Sequence, residues 1–233
     1  MKEGRWNKMN KLKPNEGLKL FDVKLEATTA GPSPDNNIRT EVFLLGCKKA
    51  HQGDPCPGCF NSITWDDSIA EWSYDPVELA AELNKTTPNK YITIGGGEPT
   101  DDIDNLIILC RELKKYGYHI FVYTWRDLVK ARKGYTTEDM TDNNNKYPIS
   151  AAKINELLKY IDILVDGEFD ATEKLYEYDT PDGFYGSIGS GNQKIWDVPN
   201  MDYRYMRDII GLKLDSKNNL IYLEKEGDID VNN

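Results

Sequence analysis

No apolar run in the 233-residue sequence is long enough to span a bilayer. The basic opening stretch MKEGRWNKMNKLKP lacks the apolar segment of a signal peptide, so the reading is a cytoplasmic protein. Positive charge is also short: 29 Lys and Arg face 39 Asp and Glu, a formal net charge of −10. An acidic surface repels phosphate backbones, which argues against nucleic acid as a partner. One local basic group, Arg126, Lys130, Arg132 and Lys133, is short and isolated and reads as a solvated face. No internal repeat is evident. The length suits one α/β domain with additions and is ample for a core.

Cysteine is sparse as well, yet three of the four cysteines fall between positions 47 and 59. In a cytosolic chain such clustering points to metal or redox chemistry rather than disulfides. Cys110 stands apart on the apolar face of a helix and reads as a small core residue.

The pattern along the chain alternates strands and helices. Residues 1–17 read as a flexible lead-in, 18–198 as the main domain and 199–233 as a C-terminal extension holding a possible β-hairpin. Thr40–Leu45 is a buried strand ending at Gly46-Cys47. Asp75-Pro76-Val77-Glu78 has the cap, the first-position proline and the first-turn acid that open a helix. Tyr91–Ile94 is a strand that stops at Gly95-Gly96-Gly97. A helix follows over 102–116, with Ile103, Leu106, Ile107, Cys110 and Leu113 on one face and Gly117 as its stop. His119–Tyr123 and Ile161–Val165 are further strands; Ser150 can cap the helix between them, after an inserted polar loop at 131–149. Such alternation implies βαβ units and a mostly parallel sheet, whose ligands lie beyond the carboxyl ends of the strands. Gly46-Cys47, Gly95–Gly97, Thr124 and Asp166-Gly167 all fall at such ends.

Cys56 and Cys59 form a CxxC around Pro57-Gly58, which turns the chain so that both thiolates serve one centre. Cys47 enters from a strand end as a third. Three thiolates suit a four-iron cluster with one iron open to a substrate. The same spacing also suits a closed Cys3His zinc site completed by His51, and spacing alone leaves the two equal. Gly95-Gly96-Gly97-Glu98-Pro99 lets backbone groups approach a ligand closely, and Glu98 can accept a hydrogen bond from an ammonium group. It lacks the Lys-Ser/Thr ending of a phosphate-binding loop.

Four segments together resemble a known family. Cys56-Pro57-Gly58-Cys59-Phe60-Asn61 with Thr64-Trp65 is similar to the cluster loop of radical S-adenosylmethionine (SAM) activating proteins. Gly95–Pro99 resembles that superfamily's GGE motif. Residues 164–169 (LVDGEF) and 189–198 (GSGNQKIWDV) resemble the VDGxF and GSxNQRIxDV segments of the activating protein of anaerobic (class III) ribonucleotide reductase. Gly31-Pro32 and Arg39 echo that family's GPGxR approach to the first strand. Two departures stand out. Eight residues separate Cys47 from Cys56 where the family usually has three, and Trp125 stands where it tends to have Gly.

The resemblance implies a partial (βα) barrel of the radical SAM type. It implies a [4Fe–4S] cluster on Cys47, Cys56 and Cys59, with SAM held by Gly95, Gly96, Gly97, Glu98, Thr124, Asp166 and Asn192. It further implies reduction by a flavodoxin or ferredoxin, reductive cleavage of SAM, and a glycyl radical raised on anaerobic ribonucleoside-triphosphate reductase. Phe60, beside the last cysteine, would shield the cluster. The rivals are a different glycyl-radical activase, a carboxy-deazaguanine synthase, and a non-enzymatic zinc-stapled domain.

Overall fold

The computed structural model describes residues 11–12 (backbone alone), 16–28, 30–59, 61–134, 148–175 and 189–224. Phe60, most of the 131–149 segment and all residues after Glu224 lie outside the described residues. The strands are β1 (Lys11–Leu12), β2 (Leu20–Ala27), β3 (Arg39–Leu44), β4 (Ser73–Tyr74), β5 (Tyr91–Gly96), β6 (His119–Tyr123), β7 (Ile163–Asp166), β8 (Lys194–Asp197), β9 (Asp202–Tyr205), β10 (Ile209–Leu214) and β11 (Leu220–Glu224). The helices are α1 (Lys48–His51), α2 (Pro76–Thr86), α3 (Ile103–Lys115), α4 (Leu128–Lys133) and α5 (Ala151–Leu157).

Seven strands form one open sheet in the order β2-β3-β5-β6-β7-β8-β9. The central four, β3, β5, β6 and β7, run parallel. β2 joins one edge and β8 and β9 the other, all antiparallel. The architecture is thus α/β with a parallel centre. β9 carries the sheet past residue 198, so part of the expected extension belongs to the main body. β1 pairs with β4, which ties residues 11–12 to the body.

Strand parity sorts the side chains. Val42, Ile94, Val122 and Leu164 lie side by side in register and face one way. There they meet Leu79 and Leu83 of α2, Leu106, Leu109 and Leu113 of α3, and Ile154 and Leu157 of α5 in the main apolar core. α2 starts as its sequence demands: the Asp75 carboxylate accepts from the Val77 and Glu78 amides at 2.9 and 3.0 Å. Cys110 is fully buried in this core. The intervening residues face the other way, in rows. Glu41, Thr93, Phe121 and Ile163 make one row, and Phe43 pairs with Gly95 in the next, where Tyr123 pairs with Val165. The β10–β11 hairpin covers part of this second face, its Ile209 and Leu212 packing with Phe121, Ile163, Val165 and Ile195.

Among the described residues no helix is long and apolar enough to cross a membrane.

Candidate active site at the carboxyl ends of the parallel strands

A cavity of about 270 Å³ opens on the second face, at the rim where β3, β5 and β6 end. Cys47, Cys56 and Cys59 line it, with Gly95, Gly96, Gly97, Glu98 and Thr124. Phe43, Tyr123 and Phe169 form aromatic walls, and Lys24, Glu41 and Gln193 supply polar edges.

Each thiol is placed by backbone bonds. The Gly46 and Cys47 amides donate to the Thr64 and Trp65 carbonyls at 2.9 and 3.0 Å, locking the exit of β3 to the stretch after the CxxC. The Cys59 amide donates to the Cys56 carbonyl at 3.2 Å, closing the Pro-Gly turn. The Ala171 amide donates to the Pro57 carbonyl at 3.3 Å and anchors that turn to the segment after β7. All three cysteines are free thiols. Burial pushes the Cys47 and Cys56 thiols up to about 12, against hydrogen bonds from the Ala50 and Phe169 backbone that favour their thiolates. A metal that binds them must displace their protons.

The glycines divide by what they face. A Cβ on Gly97 would sit 2.1 Å from the Gly46 carbonyl oxygen, and one on Gly96 2.4 Å from that of Leu44. Gly96 also has φ +104, a conformation that glycine tolerates. Both are therefore required by the chain's own backbone, which brings the end of β5 against the residue before Cys47. A Cβ on Gly95 meets only Tyr123 Cδ2, at an ordinary 3.8 Å. Gly95 is a gap in a row of large side chains, and the gap helps to make the cavity.

Glu98 is buried, and its carboxylate gathers the rim. Oε1 accepts from the Thr100 amide at 3.0 Å, from the Thr100 hydroxyl, and from Thr124 Oγ1 at 2.8 Å. Oε2 accepts from the Trp125 amide at 3.0 Å. Burial raises the carboxyl's pKa, opposed chiefly by the Arg126 guanidinium.

Two expected residues lie elsewhere. Asp166 and Asn192 line a neighbouring cavity of about 370 Å³ that shares Trp125 and Gly167 with the first. Asp166 follows Leu164 in parity, and its Oδ2 accepts from the Leu128 amide at 2.6 Å at the start of α4. Burial pushes its carboxyl up to about 6. Asn192 donates to the Glu168 carbonyl at 2.8 Å and accepts from Ser190 Oγ at 2.6 Å. Gln193, beside it, reaches the cysteine cavity and donates to the Gly167 carbonyl at 2.7 Å. His51 opens on a third cavity, with Lys48 and Asp67, and not on the one that Cys56 and Cys59 line.

Phe43, Tyr123 and Phe169 were not expected at the site. The signal for the first two was present, since strand parity puts Phe43 in register with Gly95. Phe169 reaches the cavity from a loop, where no periodicity points to it.

The donor set fits an iron–sulfur cluster. Three thiols spaced around one cavity suit separate irons, each taking one thiolate.

Comparison with known proteins agrees. Residues 36–196 match the family described as a 4Fe-4S single cluster domain. The anaerobic ribonucleoside-triphosphate reductase-activating protein of Enterobacteria phage T4 is 28% identical over 170 residues, 68% of this chain and 83% of its own length. Proteins of the same name from Vibrio cholerae and Haemophilus influenzae are 27% and 24% identical over 136 residues, 56% of this chain and 74% of theirs. The cysteine loop, Gly95–Pro99 and residues 164–169 fall inside the matched region, and the chain belongs to the 4Fe-4S single cluster domain family.

Proposed function

We propose that this chain is a radical SAM activase that raises a glycyl radical on anaerobic ribonucleoside-triphosphate reductase. One observation carries the reading: three free thiols share a single cavity with a glycine-rich strand end and Glu98. The names of the relatives support the choice of partner.

Cys47, Cys56 and Cys59 would hold a [4Fe–4S] cluster. When bound with SAM, it supplies one-electron reductive cleavage of the sulfonium, and thereby removal of a hydrogen atom from the partner's glycine. The chain's own residues bind and exclude. Gly95 leaves the backbone open where a ligand reaches the wall between Phe43 and Tyr123. Glu98 holds Thr100, Thr124 and the Trp125 amide in one arrangement, and its carboxylate would accept a hydrogen bond from the SAM ammonium. Phe43, Tyr123 and Phe169 exclude water from the cavity. Asp166 and Asn192 act one step back: Asp166 fixes the start of α4, and Asn192 fixes the turn after β7. No general base is required for hydrogen-atom transfer. The open sheet is read as the wall of a partial (βα) barrel, and the reductant as a flavodoxin or ferredoxin in the cytoplasm.

The test is anaerobic reconstitution with iron and sulfide, then SAM and dithionite. The expected product is 5′-deoxyadenosine, falling to background in Cys56→Ala. Addition of the reductase should then give a glycyl-radical signal by electron paramagnetic resonance. Bound zinc in place of iron, with no product, would sink the reading and leave a metal-stapled domain.

A further inference from the structure

The two departures from the family pattern meet in space. The long interval after Cys47 folds as α1 and a turn, and it delivers Lys49 into the protein: the residue is 3% exposed. Lysine is almost never this buried unless it is paired. Lys49 Nζ donates to the Asp54 carbonyl at 2.8 Å, pairs with Asp54 Oδ2 at 3.0 Å, and lies 3.4 Å from Glu168 Oε1. It also lies 5.7 Å from the ring centre of Trp125, the residue that replaces the family's Gly. On that same indole the Arg126 guanidinium sits at 4.5 Å. The indole packs with Cys47, and Ala50, Cys56 and Trp65 complete the group. A three-residue interval has no room for α1, and a glycine at 125 gives Lys49 nothing to lie on.

Glu168 raises the pKa of the Cys56 thiol and Lys49 lowers it, Asp54 stands two residues before Cys56, and Lys49 is the cation between the two carboxylates. Negative charge beside an iron–sulfur cluster opposes the addition of an electron; a buried cation favours it, and burial weakens solvent screening.

We propose that Lys49 is a positioning residue for the cluster. Its ammonium offsets Asp54 and Glu168 and raises the potential at which the cluster takes its electron. The reduction adds one electron from a low-potential one-electron donor and breaks no bond. The inference rests on the reading that Cys47, Cys56 and Cys59 hold the cluster.

The experiment needs neither SAM nor the partner. Wild type, Lys49→Met, Lys49→Arg and Glu168→Gln are reconstituted anaerobically, assayed for iron, and titrated with dithionite against redox mediators, with electron paramagnetic resonance as readout. At the wild-type midpoint, the reduced-to-oxidised ratio in Lys49→Met should fall about tenfold, equal to about 59 mV for one electron. Lys49→Arg, which keeps the charge, should stay near wild type, and Glu168→Gln should move the opposite way. An unchanged midpoint in Lys49→Met overturns the inference while the cluster reading stands. If Lys49→Met takes up no iron, Glu168→Gln decides: an unmoved midpoint there overturns it equally. Wild type that takes up no iron defeats the cluster reading itself.

Discussion

At the amino ends of the parallel strands the buried Arg39 is answered by the chain itself; at the carboxyl ends the thiols face a cavity. Arg39, fully buried, donates to Thr93 Oγ1 at 2.8 Å and to the Pro32, Ile92 and His119 carbonyls at 2.8, 2.6 and 3.2 Å. Its guanidinium also lies over the Tyr91 and Phe121 rings. Burial draws its pKa down to about 9, and that of His119 to about 4, with Arg39 adding to the latter. The floor thus tolerates a costly cation because four of its N–H groups meet acceptors at 3.2 Å or less and the fifth faces His119 Nδ1 at 3.4 Å. At the rim Cys47, Cys56 and Cys59 surround open space instead. The same sheet therefore spends its polarity on rigidity at one end and on ligand capacity at the other.

The largest break in this contrast is Gly97→Ala. Its Cβ would collide with backbone at Gly46, which no rotamer can relieve. We expect a loss of roughly 3 kcal/mol or more in urea unfolding of the apo protein. Iron uptake should fall with it, because Gly46 sets Cys47. A stable Gly97→Ala protein with full iron content would mean that β3 and β5 need not touch there.

Arg39→Lys should come next. Charge is kept, but the five-donor fork becomes three donors on a thinner stem, and buried carbonyls lose partners. A loss of roughly 2–3 kcal/mol is expected, read as a lower urea midpoint. Iron content and cluster spectrum after reconstitution should be unchanged. Altered cluster properties without a stability loss would erase the division between floor and rim.

Much of this arrangement is legible in the sequence. β3, β5 and β6 read as strands because buried parallel strands are near-continuous apolar runs. α2 announced itself through Asp75 and Pro76, and α3 through its apolar stripe. β2 was silent, since Phe21, Asp22, Lys24 and Glu26 mix charge and exposure along an edge strand. α1 was hidden because four residues leave no period to read, and α4 because its last turn looked like a solvated basic group. At the site the cysteines and glycines were visible as residue types suited to a ligand. What each one faced was not: Gly97 meets Gly46, and Lys49 meets Trp125, through contacts between segments distant in sequence. Asp166 is a different case, since it lines the neighbouring cavity. Parity with Leu164 already assigns it to the helix side, away from the cysteine cavity.

The smallest expected effect on stability gives the sharpest test of the rim. Gly95→Ala places a methyl group at ordinary contact distance from Tyr123, so the apo protein should unfold within about 0.5 kcal/mol of wild type. Gly95 is also the one glycine of the three whose missing side chain the fold does not use. If a ligand occupies that gap, the methyl group meets the ligand, with Tyr123 at ordinary contact distance. SAM binding to the reconstituted protein, followed by equilibrium dialysis, should then weaken in Gly95→Ala while iron content and melting temperature hold. Binding as tight as wild type would move the ligand away from the Phe43–Gly95–Tyr123 row. The openness of that row would then be a property of packing, and the search for ligand contacts would shift to Gln193 and Phe169, which line the same cavity.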